Sequence, residues 1–348
     1  MALLSIDQVR DNLADPSLLA QNLDFARQAI LFLKLDSQAL NRASFLDDRI
    51  LSPQSSGRWV QFSELDPWLA NARQHRPLHF IFHAGHVGST LLSRLLDDAG
   101  GVLGLREPLG LRVLADAFDK HGAHDTLVSG AQLEKLLTWH LVLWSRGYGH
   151  TQQVVLKATS AAARLHERLL KAQPSARAVY LNLDVEPYLA TLLAGENSPL
   201  DLRGLASERF RRFVRLQAHP SPTPLHAMSL GEIAAMTWAT ERLTQRAAEA
   251  MFGDRVLSID FDTLLRVPAD TLRMVCRHFG IDAPESYFQG IPENPILTRY
   301  SKAPEHAYTP ALRAQILAQS REKNRGEIGK GLAWIANLSA KTQSQLSA

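Results

Sequence analysis

Residues 78–92 read LHFIFHAGHVGSTLL. The first five residues form a compact apolar run, which is typical of a strand buried on both faces of a sheet. A turn that contains Gly85 and Gly88 follows, and from Thr90 onward the leucines recur at helical spacing. The pattern therefore predicts a buried strand, a glycine turn and a helix in direct succession.

The turn between this strand and this helix is suited to binding an anion. Its backbone N–H groups point in one direction, and the positive end of the helix dipole adds to their effect. The two glycines allow a ligand to approach the backbone closely, and two hydroxyl groups add donors. The alternative is a tight structural turn in which Ser89 caps the helix. The predicted anion-binding residues are Gly85, His86, Val87, Gly88, Ser89 and Thr90.

The same order of strand, turn and helix recurs along the chain. Apolar strand candidates at 154–156, 178–181 and 256–259 each precede a helical segment. Strands of this kind that alternate with helices indicate a parallel sheet covered on both faces. We therefore predict an α/β fold, a P-loop NTPase-like three-layer sandwich around a central parallel sheet of about five strands.

The ends and one internal segment differ from this core. Residues 1–55 are predicted to be a helical N-terminal extension, because apolar residues recur there in a loose helical stripe. The α/β domain is expected over residues 56–340. Within it, residues 197–228 combine four prolines with many arginines and are interpreted as a lid or insertion over the sheet. Helices at 1–50 fit either a homodimer interface or a cap on the sheet.

Composition excludes several classes of protein. The 348 residues are 45% hydrophobic and 21% charged, so the chain can bury a sizeable core. A net charge of +3 differs from the concentrated basic face of a general nucleic-acid binder. The single cysteine, Cys276, excludes an internal disulfide framework. No apolar run approaches the roughly 18–20 residues of a membrane helix, and the start lacks a signal-peptide core. We expect a cytoplasmic protein without membrane or nucleic-acid partners.

The glycine turn departs from the Walker A pattern of nucleoside triphosphatases. That pattern requires a lysine before the hydroxyl residue, whereas Ser89 follows Gly88 directly. His79, His83 and His86 lie near one another in sequence but have no accompanying carboxylates, so no metal site is expected. The sequence favours a nucleotide ligand that needs no metal.

The order and spacing of several motifs together resemble the sulfotransferase superfamily, whose donor is 3'-phosphoadenosine 5'-phosphosulfate. HVGSTLL at 86–92 lies where members carry an R/K-S-G-T-T-L-L loop. LREP at 105–108 resembles the segment that carries a glutamate in many bacterial members, and VLKAT at 155–159 resembles the strand end that carries a lysine. RVLSIDFDTL at 255–264 is similar to the family's R-V-L-x-V-x-Y-E-D-L segment. The resemblance covers approximately residues 78–340.

The resemblance implies transfer of a sulfuryl group to a hydroxyl or amine on a small molecule or a peptide. Glu107 is expected to accept the acceptor's proton, and Lys157 to stabilise charge on the leaving phosphate. His86 is expected to contact the donor beside them. The structural alternatives are a solvated glutamate in a turn and a surface lysine at the end of a strand. The other implied donor-binding residues are Thr191, Ser301 and Lys302.

Two positions depart from the family's pattern. His86 replaces the loop arginine or lysine, and Leu183 replaces an arginine that binds the donor's 3'-phosphate. A leucine cannot make that charge-assisted contact. Either another arginine takes over, or the donor differs, or activity has been lost. The arginines available in the predicted lid are Arg203, Arg209, Arg211 and Arg212.

Two other functions remain open at this point. One is a P-loop phosphotransferase that uses a nucleoside triphosphate with magnesium. The other is a nucleotide-binding or scaffold relative that keeps the fold without catalysis.

Overall fold

A computed structural model describes residues 2–217 and 223–347, so residues 218–222 of the predicted lid lie outside the described residues. The chain forms two compact units, and each is described by itself. Unit 1 comprises Met1–Ile81, Thr90–Ala178 and Cys276–Phe288, and unit 2 comprises Phe82–Ser89, Val179–Val275 and Gln289–Ala348. The domain boundary predicted at residues 55 and 56 stays a prediction.

Nine strands are found in the described residues, and they form two sheets. They are β1 Ala2–Leu3, β2 Leu18–Asp24, β3 Ala29–Lys34, β4 Ser56–Gln61, β5 Leu78–His83, β6 Val102–Arg106, β7 Gln153–Lys157, β8 Ala178–Asn182 and β9 Val256–Asp260. The four-stranded sheet has the order β1-β4-β3-β2, and the five-stranded sheet has the order β6-β7-β5-β8-β9.

The helices connect and cover these strands. They are α1 Ile6–Asp11, α2 Ser37–Arg42, α3 Phe62–Leu69, α4 Ser89–Asp97, α5 Leu109–Asp119, α6 Gly130–Trp144, α7 His166–Ala172, α8 Val185–Ala194, α9 Ser198–Leu216, α10 Leu230–Phe252, α11 Phe261–Arg266, α12 Pro268–Phe279, α13 Glu285–Gly290, α14 Pro310–Lys323, α15 Arg325–Ala336 and α16 Ala340–Ser347. Within residues 2–217 and 223–347, no helix has the length and hydropathy to cross a membrane.

The five-stranded sheet confirms the predicted α/β fold with a central parallel sheet. β7 pairs in parallel with both β5 and β6, and this register places Lys157 beside Ile81 on one side and Arg106 on the other. All residues of β5 and β7 are buried, which explains why their sequences are nearly continuous apolar runs.

The N-terminal region corrects one prediction. Residues 18–34 were expected to be helical, but β2 and β3 form an antiparallel hairpin there, with Leu19 opposite Leu33. Consecutive apolar residues such as those of AILFL fit a buried strand as well as a buried helix. β3 is almost completely buried, and complete burial favours β-branched and aromatic residues on a pleated surface. The extension is therefore mainly a sheet with the short helices α1 and α2.

A buried arginine fastens this N-terminal sheet within unit 1. Arg146, just after α6, donates hydrogen bonds to the carbonyl oxygens of Leu13 at 2.7 Å and Leu18 at 2.6 Å. Burial lowers the pKa of Arg146 to about 10, yet the guanidinium stays charged at neutral pH. Because these bonds join segments far apart in sequence, the hairpin has a fixed position in unit 1.

In unit 2, the long helix α10 is the centre of the packing. It begins at a capping box in which the Ser229 hydroxyl accepts from the backbone N–H of Glu232, and the Glu232 carboxylate accepts from the backbone N–H of Ser229. α15 approaches α10 so closely that a Cβ on Gly231 would lie 1.8 Å from the Glu327 carbonyl oxygen.

Candidate functional site

The loop that joins β5 to α4, residues 84–88, is called the glycine loop below. Gly85, His86 and Gly88 have φ values of 94°, 56° and 71°. Glycine adopts this left-handed region freely, but for His86 it costs about 1–2 kcal/mol. Left-handed residues in a tight loop turn backbone N–H groups toward one side, as in anion-binding nests. Three of the five loop residues therefore lie in the left-handed region, and the role of the loop as an anion site stays a prediction.

Contacts within unit 2 hold the glycine loop in this form. The Gly85 N–H donates to His83 Nδ1 at 3.0 Å, and the Tyr188 hydroxyl donates to the Ala84 carbonyl oxygen at 2.8 Å. The Ala84 N–H donates to the Leu181 carbonyl oxygen at 3.1 Å. Sequence reasoning did not single out Tyr188, because a tyrosine on an apolar helix gives no signal of such a contact.

Gly88 is required by space as well as by backbone conformation. A Cβ at this position would lie 2.1 Å from a ring atom of Phe261, far inside van der Waals contact. Val87 is fully buried, and its role in anion binding stays a prediction. α4 begins at Ser89, which leaves Gly88 rather than Ser89 at the capping position.

Thr90, in unit 1, has a buried hydroxyl group that makes no hydrogen bond to the described residues. The residue is 1% exposed, and its Oγ1 has no hydrogen-bond partner among the described residues. An unsatisfied buried polar group costs about 1–3 kcal/mol, and native proteins contain few of them. A ligand oxygen at the start of α4 would satisfy this hydroxyl.

His86 is neutral at physiological pH and does not replace a loop cation. Its pKa is lowered to about 4 by desolvation and by the positive charges of Lys302 and Arg209. The structure thus brings positive charge from Lys302 and Arg209 near the glycine loop. A neutral His86 can donate at most one ring N–H.

The arginines of α9 differ in burial. Arg203 and Arg211 are exposed, whereas Arg209 and Arg212 are 5% and 3% exposed. Arg212 Nη1 donates to Glu241 Oε2 at 3.2 Å, and the second terminal nitrogen also contacts this carboxylate. Arg209 Nε lies 3.7 Å from Glu241 Oε1, a longer ion pair. Of these arginines, Arg209 is the one whose charge acts on His86.

Three further positions in unit 2 were connected with donor binding by the resemblance, and the structure gives little support for a donor contact at any of them. Leu183 is 2% exposed, and its carbonyl oxygen accepts from Trp238 Nε1 at 2.8 Å, so its side chain belongs to the core. The Thr191 hydroxyl donates to the Pro187 carbonyl oxygen within α8 at 2.7 Å. Ser301 is half-buried in a turn. Donor-binding roles for Thr191 and Ser301 stay predictions.

In unit 1, Glu107 and Lys157 form a buried ion pair. Lys157 Nζ donates to Glu107 Oε1, and the two residues are 0% and 8% exposed. The Glu107 N–H also donates to the Lys157 carbonyl oxygen at 2.7 Å. Glu107 has a φ of 54°, a strained conformation that tends to occur at functional sites. The alternatives of a solvated glutamate and a surface lysine are therefore wrong.

The parallel sheet explains how these two residues meet. Glu107 follows β6, Lys157 ends β7, and the strands are neighbours in register. β5 pairs with β7 on the other side, where Ile81 lies opposite Lys157. Ligands of open α/β sheets bind at the carboxyl ends of such strands.

Two buried histidines in unit 1 give a prediction about pH. Burial lowers the pKa of His79 and of His140 to about 4, from an ordinary 6.5. Because the unfolded chain binds more protons between these values, stability is full above pH 6.5 and is lost as the pH falls toward 4. We expect up to about 3 kcal/mol from each residue.

Urea unfolding between pH 4.5 and 7.5 measures this effect. His140→Gln removes one titrating group and should flatten the dependence of the unfolding free energy on pH. His124→Gln, at an exposed position, should leave that dependence unchanged. Parallel curves for wild type and His140→Gln would contradict the assignment.

Comparison with known proteins finds similarity only among solved structures. No family model matches the chain, and no curated protein does. A sulfotransferase domain from the curacin biosynthetic pathway has a TM-score of 0.40 at 13% identity, covering 79% of this chain and 98% of that one. A sulfotransferase from Mycobacterium tuberculosis H37Rv has a TM-score of 0.39 at 16% identity, covering 75% and 79%.

A third structure is the sulfotransferase domain of the Synechococcus PCC 7002 olefin synthase. Its TM-score is 0.35 at 17% identity, and the match covers 73% of this chain and 98% of that chain. All three TM-scores lie below 0.5, and all three identities are 17% or less.

Proposed function

We propose that this protein transfers a sulfuryl group from 3'-phosphoadenosine 5'-phosphosulfate to a hydroxyl or amine acceptor. The observation that carries the proposal is the left-handed backbone of the glycine loop, at the end of a buried parallel strand and without a Walker lysine. Such a loop presents backbone N–H groups to an anion. It therefore suits a nucleotide that is bound without a metal.

Positive charge for the donor would come from residues outside the loop. The half-buried Lys302 and the buried Arg209 both act on His86. A buried cation such as Arg209 attracts phosphate strongly because little water screens it. Arg209 would compensate for the leucine at position 183. The partnerless hydroxyl of Thr90 would donate to a donor oxygen.

The chemistry assigned to Glu107 and Lys157 is an in-line displacement at sulfur. The acceptor's proton passes to a Glu107 carboxylate oxygen as the acceptor oxygen or nitrogen forms its bond to sulfur. The bond between sulfur and the bridging phosphate oxygen breaks, and that oxygen leaves with the electron pair. Lys157 stabilises the negative charge on the departing phosphate. In the protein without ligands, Lys157 Nζ donates a hydrogen bond to the Glu107 carboxylate. A shift of Lys157 toward the donor would release this carboxylate, so that Glu107 could act as a base.

Adenosine 3',5'-bisphosphate tests this proposal, because it carries both phosphates of the donor without the reactive sulfuryl group. We expect it to bind in the presence of EDTA, as measured by calorimetry, and ATP with magnesium to bind more weakly. Preference for ATP with magnesium would support a phosphotransferase instead. Failure of both nucleotides to bind would support a non-catalytic relative.

Gly88→Ala should weaken adenosine 3',5'-bisphosphate binding by about ten-fold or more, because an L-residue at a φ of 71° is strained and its Cβ meets Phe261. The matched control is Gly329→Ala in α15, where a Cβ would have no neighbour within 4 Å. Equal affinity of the two variants would exclude the glycine loop as the binding element.

A further inference from the structure

We propose that residues 41–47, called the N-terminal strap, belong to the catalytic site, and that Phe45 is a positioning residue that shields the Glu107–Lys157 pair from water. The inference rests on the proposed function for its chemistry. It gives the strap the role of a cover for the sheet edge, which is one of the two roles that the sequence leaves open for the N-terminal region.

The strap is hydrogen-bonded to the backbone on both sides of Glu107. The Leu46 N–H donates to the Arg106 carbonyl oxygen at 2.7 Å, and the Leu109 N–H donates to the Leu46 carbonyl oxygen at 3.3 Å. Leu46 is fully buried. The strap therefore runs alongside the residue proposed as the base and is fixed to its immediate neighbours in the chain.

One arginine from β6 holds the beginning of the strap. Arg106 Nη1 donates to the carbonyl oxygens of Asn41 and Ala43, each at 3.1 Å. Its other terminal nitrogen is paired with Asp97, and the side chain is buried. Because Arg106 directly precedes Glu107, the residue that anchors the strap also helps to fix the position of the glutamate.

A second arginine, from α4, holds the next residues of the strap. Arg94 Nη2 donates to the Arg42 carbonyl oxygen and to the Ser44 hydroxyl, both at 2.9 Å. Contacts from two separate elements at four successive strap residues exclude a loose surface loop. The strap is held in one conformation just before Phe45.

The Phe45 ring lies near two cations. Lys157 Nζ is 5.7 Å from the ring centroid, and the Arg49 guanidinium carbon is 3.2 Å from it. Arg49 is itself held by Asp47, with nitrogen-to-oxygen distances of 2.8 and 2.5 Å. Cation–π attraction and this packing hold the ring beside Lys157, whose side chain is fully buried.

Exclusion of water has a direct effect on the ion pair. Attraction between opposite charges is several times stronger in a protein interior than in water. When water is excluded, the ammonium group of Lys157 also stays hydrogen-bonded to Glu107 instead of to solvent. Without the Phe45 ring, water would reach Lys157 Nζ, the pair would loosen, and the lysine would become accessible to reagents.

Chemical acetylation of Lys157 tests this directly and needs no acceptor. The purified full chain is treated briefly with acetic anhydride, and mass spectrometry gives the modification of Lys157 relative to exposed Lys135. We expect Phe45→Ala to raise the relative rate at Lys157 by about ten-fold or more, since local opening governs the reactivity of buried groups. Phe25→Ala, at a half-buried phenylalanine of the N-terminal region, should leave it within about two-fold.

Two further measurements separate the possible outcomes. Adenosine 3',5'-bisphosphate affinity is measured by calorimetry for the wild type and for Phe45→Ala in parallel. If the wild type does not bind this nucleotide, the proposed function fails while the shielding result stands. If Phe45→Ala does not fold, Phe45→Leu replaces it, with an expected rise of about two- to five-fold. Unchanged Lys157 reactivity in a folded variant would overturn the inference.

Discussion

Lys157→Met is expected to lower the free energy of unfolding by about 3–5 kcal/mol, because it leaves a buried carboxylate without its counter-charge. Lys157 is fully buried and Glu107 is nearly so, and their side chains are in direct contact. Methionine keeps most of the volume of the lysine, so a cavity contributes little to the loss. Urea unfolding at pH 7.5 measures the change.

The double variant Lys157→Met with Glu107→Gln separates charge from packing. Removing both charges should restore a large part of the lost stability, since replacing both members of a buried pair is far less costly than removing one. Lys171→Met is the control, because Lys171 pairs with Glu167 at the surface and should cost less than about 1 kcal/mol. Equal effects of Lys157→Met and Lys171→Met would show that the buried pair does not carry this energy.

Glu107→Gln is expected to reduce turnover by about 100-fold or more, the usual contribution of a general base. The amide keeps the shape of the side chain but cannot take the acceptor's proton. Turnover is measured as release of adenosine 3',5'-bisphosphate from the donor across a panel of hydroxyl and amine acceptors. Donor-site affinity should remain close to that of the wild type, since the glycine loop is unchanged.

Glu107→Asp distinguishes proton transfer from charge compensation. Aspartate keeps the negative charge opposite Lys157 but withdraws the carboxylate by one methylene group. We expect it to keep more of the stability than Glu107→Gln does and still to lose most of the turnover, because a base must lie within hydrogen-bond reach of its proton. Unchanged turnover in Glu107→Gln would remove Glu107 from the mechanism.

The strands around the glycine loop could be predicted from the sequence, but two elements could not. β5, β7, β8 and β9 are short, largely apolar runs before helical segments. Burial on both faces produces that pattern in β5, β7 and β8, whereas β9 is mostly half-buried. β6 reads VLGLR, and its glycine and arginine interrupt the run. Contacts with residues outside the strand explain both interruptions. A Cβ on Gly104 would lie 2.3 Å from Asp97 Oδ1, and Arg106 anchors the strap.

The β2–β3 hairpin shows a second limit of sequence reasoning. Its apolar residues are adjacent along the chain instead of alternating, because both faces of the hairpin are covered within unit 1. A short continuous apolar run does not distinguish a strand from a buried helix. Only the tertiary environment, including the bonds from Arg146, decides between them.

For the candidate site, the sequence indicates which residues take part but not whether they are buried, paired or charged. Glu107 and Lys157 were singled out by spacing and resemblance, whereas their burial as a pair depends on the register of β6 with β7. Phe45 belongs to no motif, and its proximity to Lys157 joins residues more than a hundred positions apart. Desolvation and the charges of Lys302 and Arg209 lower the pKa of His86 to about 4, and none of these causes is visible in the sequence around it.

Titration of glycine-labelled protein with adenosine 3',5'-bisphosphate in EDTA, followed by the backbone amide resonances, is the most direct examination of the glycine loop. If its N–H groups bind the anionic end of the nucleotide, the amides of Gly85 and Gly88 shift together and saturate with the calorimetric affinity, while that of exposed Gly329 stays in place. If the nucleotide binds and both loop amides remain unmoved, or if binding requires magnesium, this assignment of the loop is wrong.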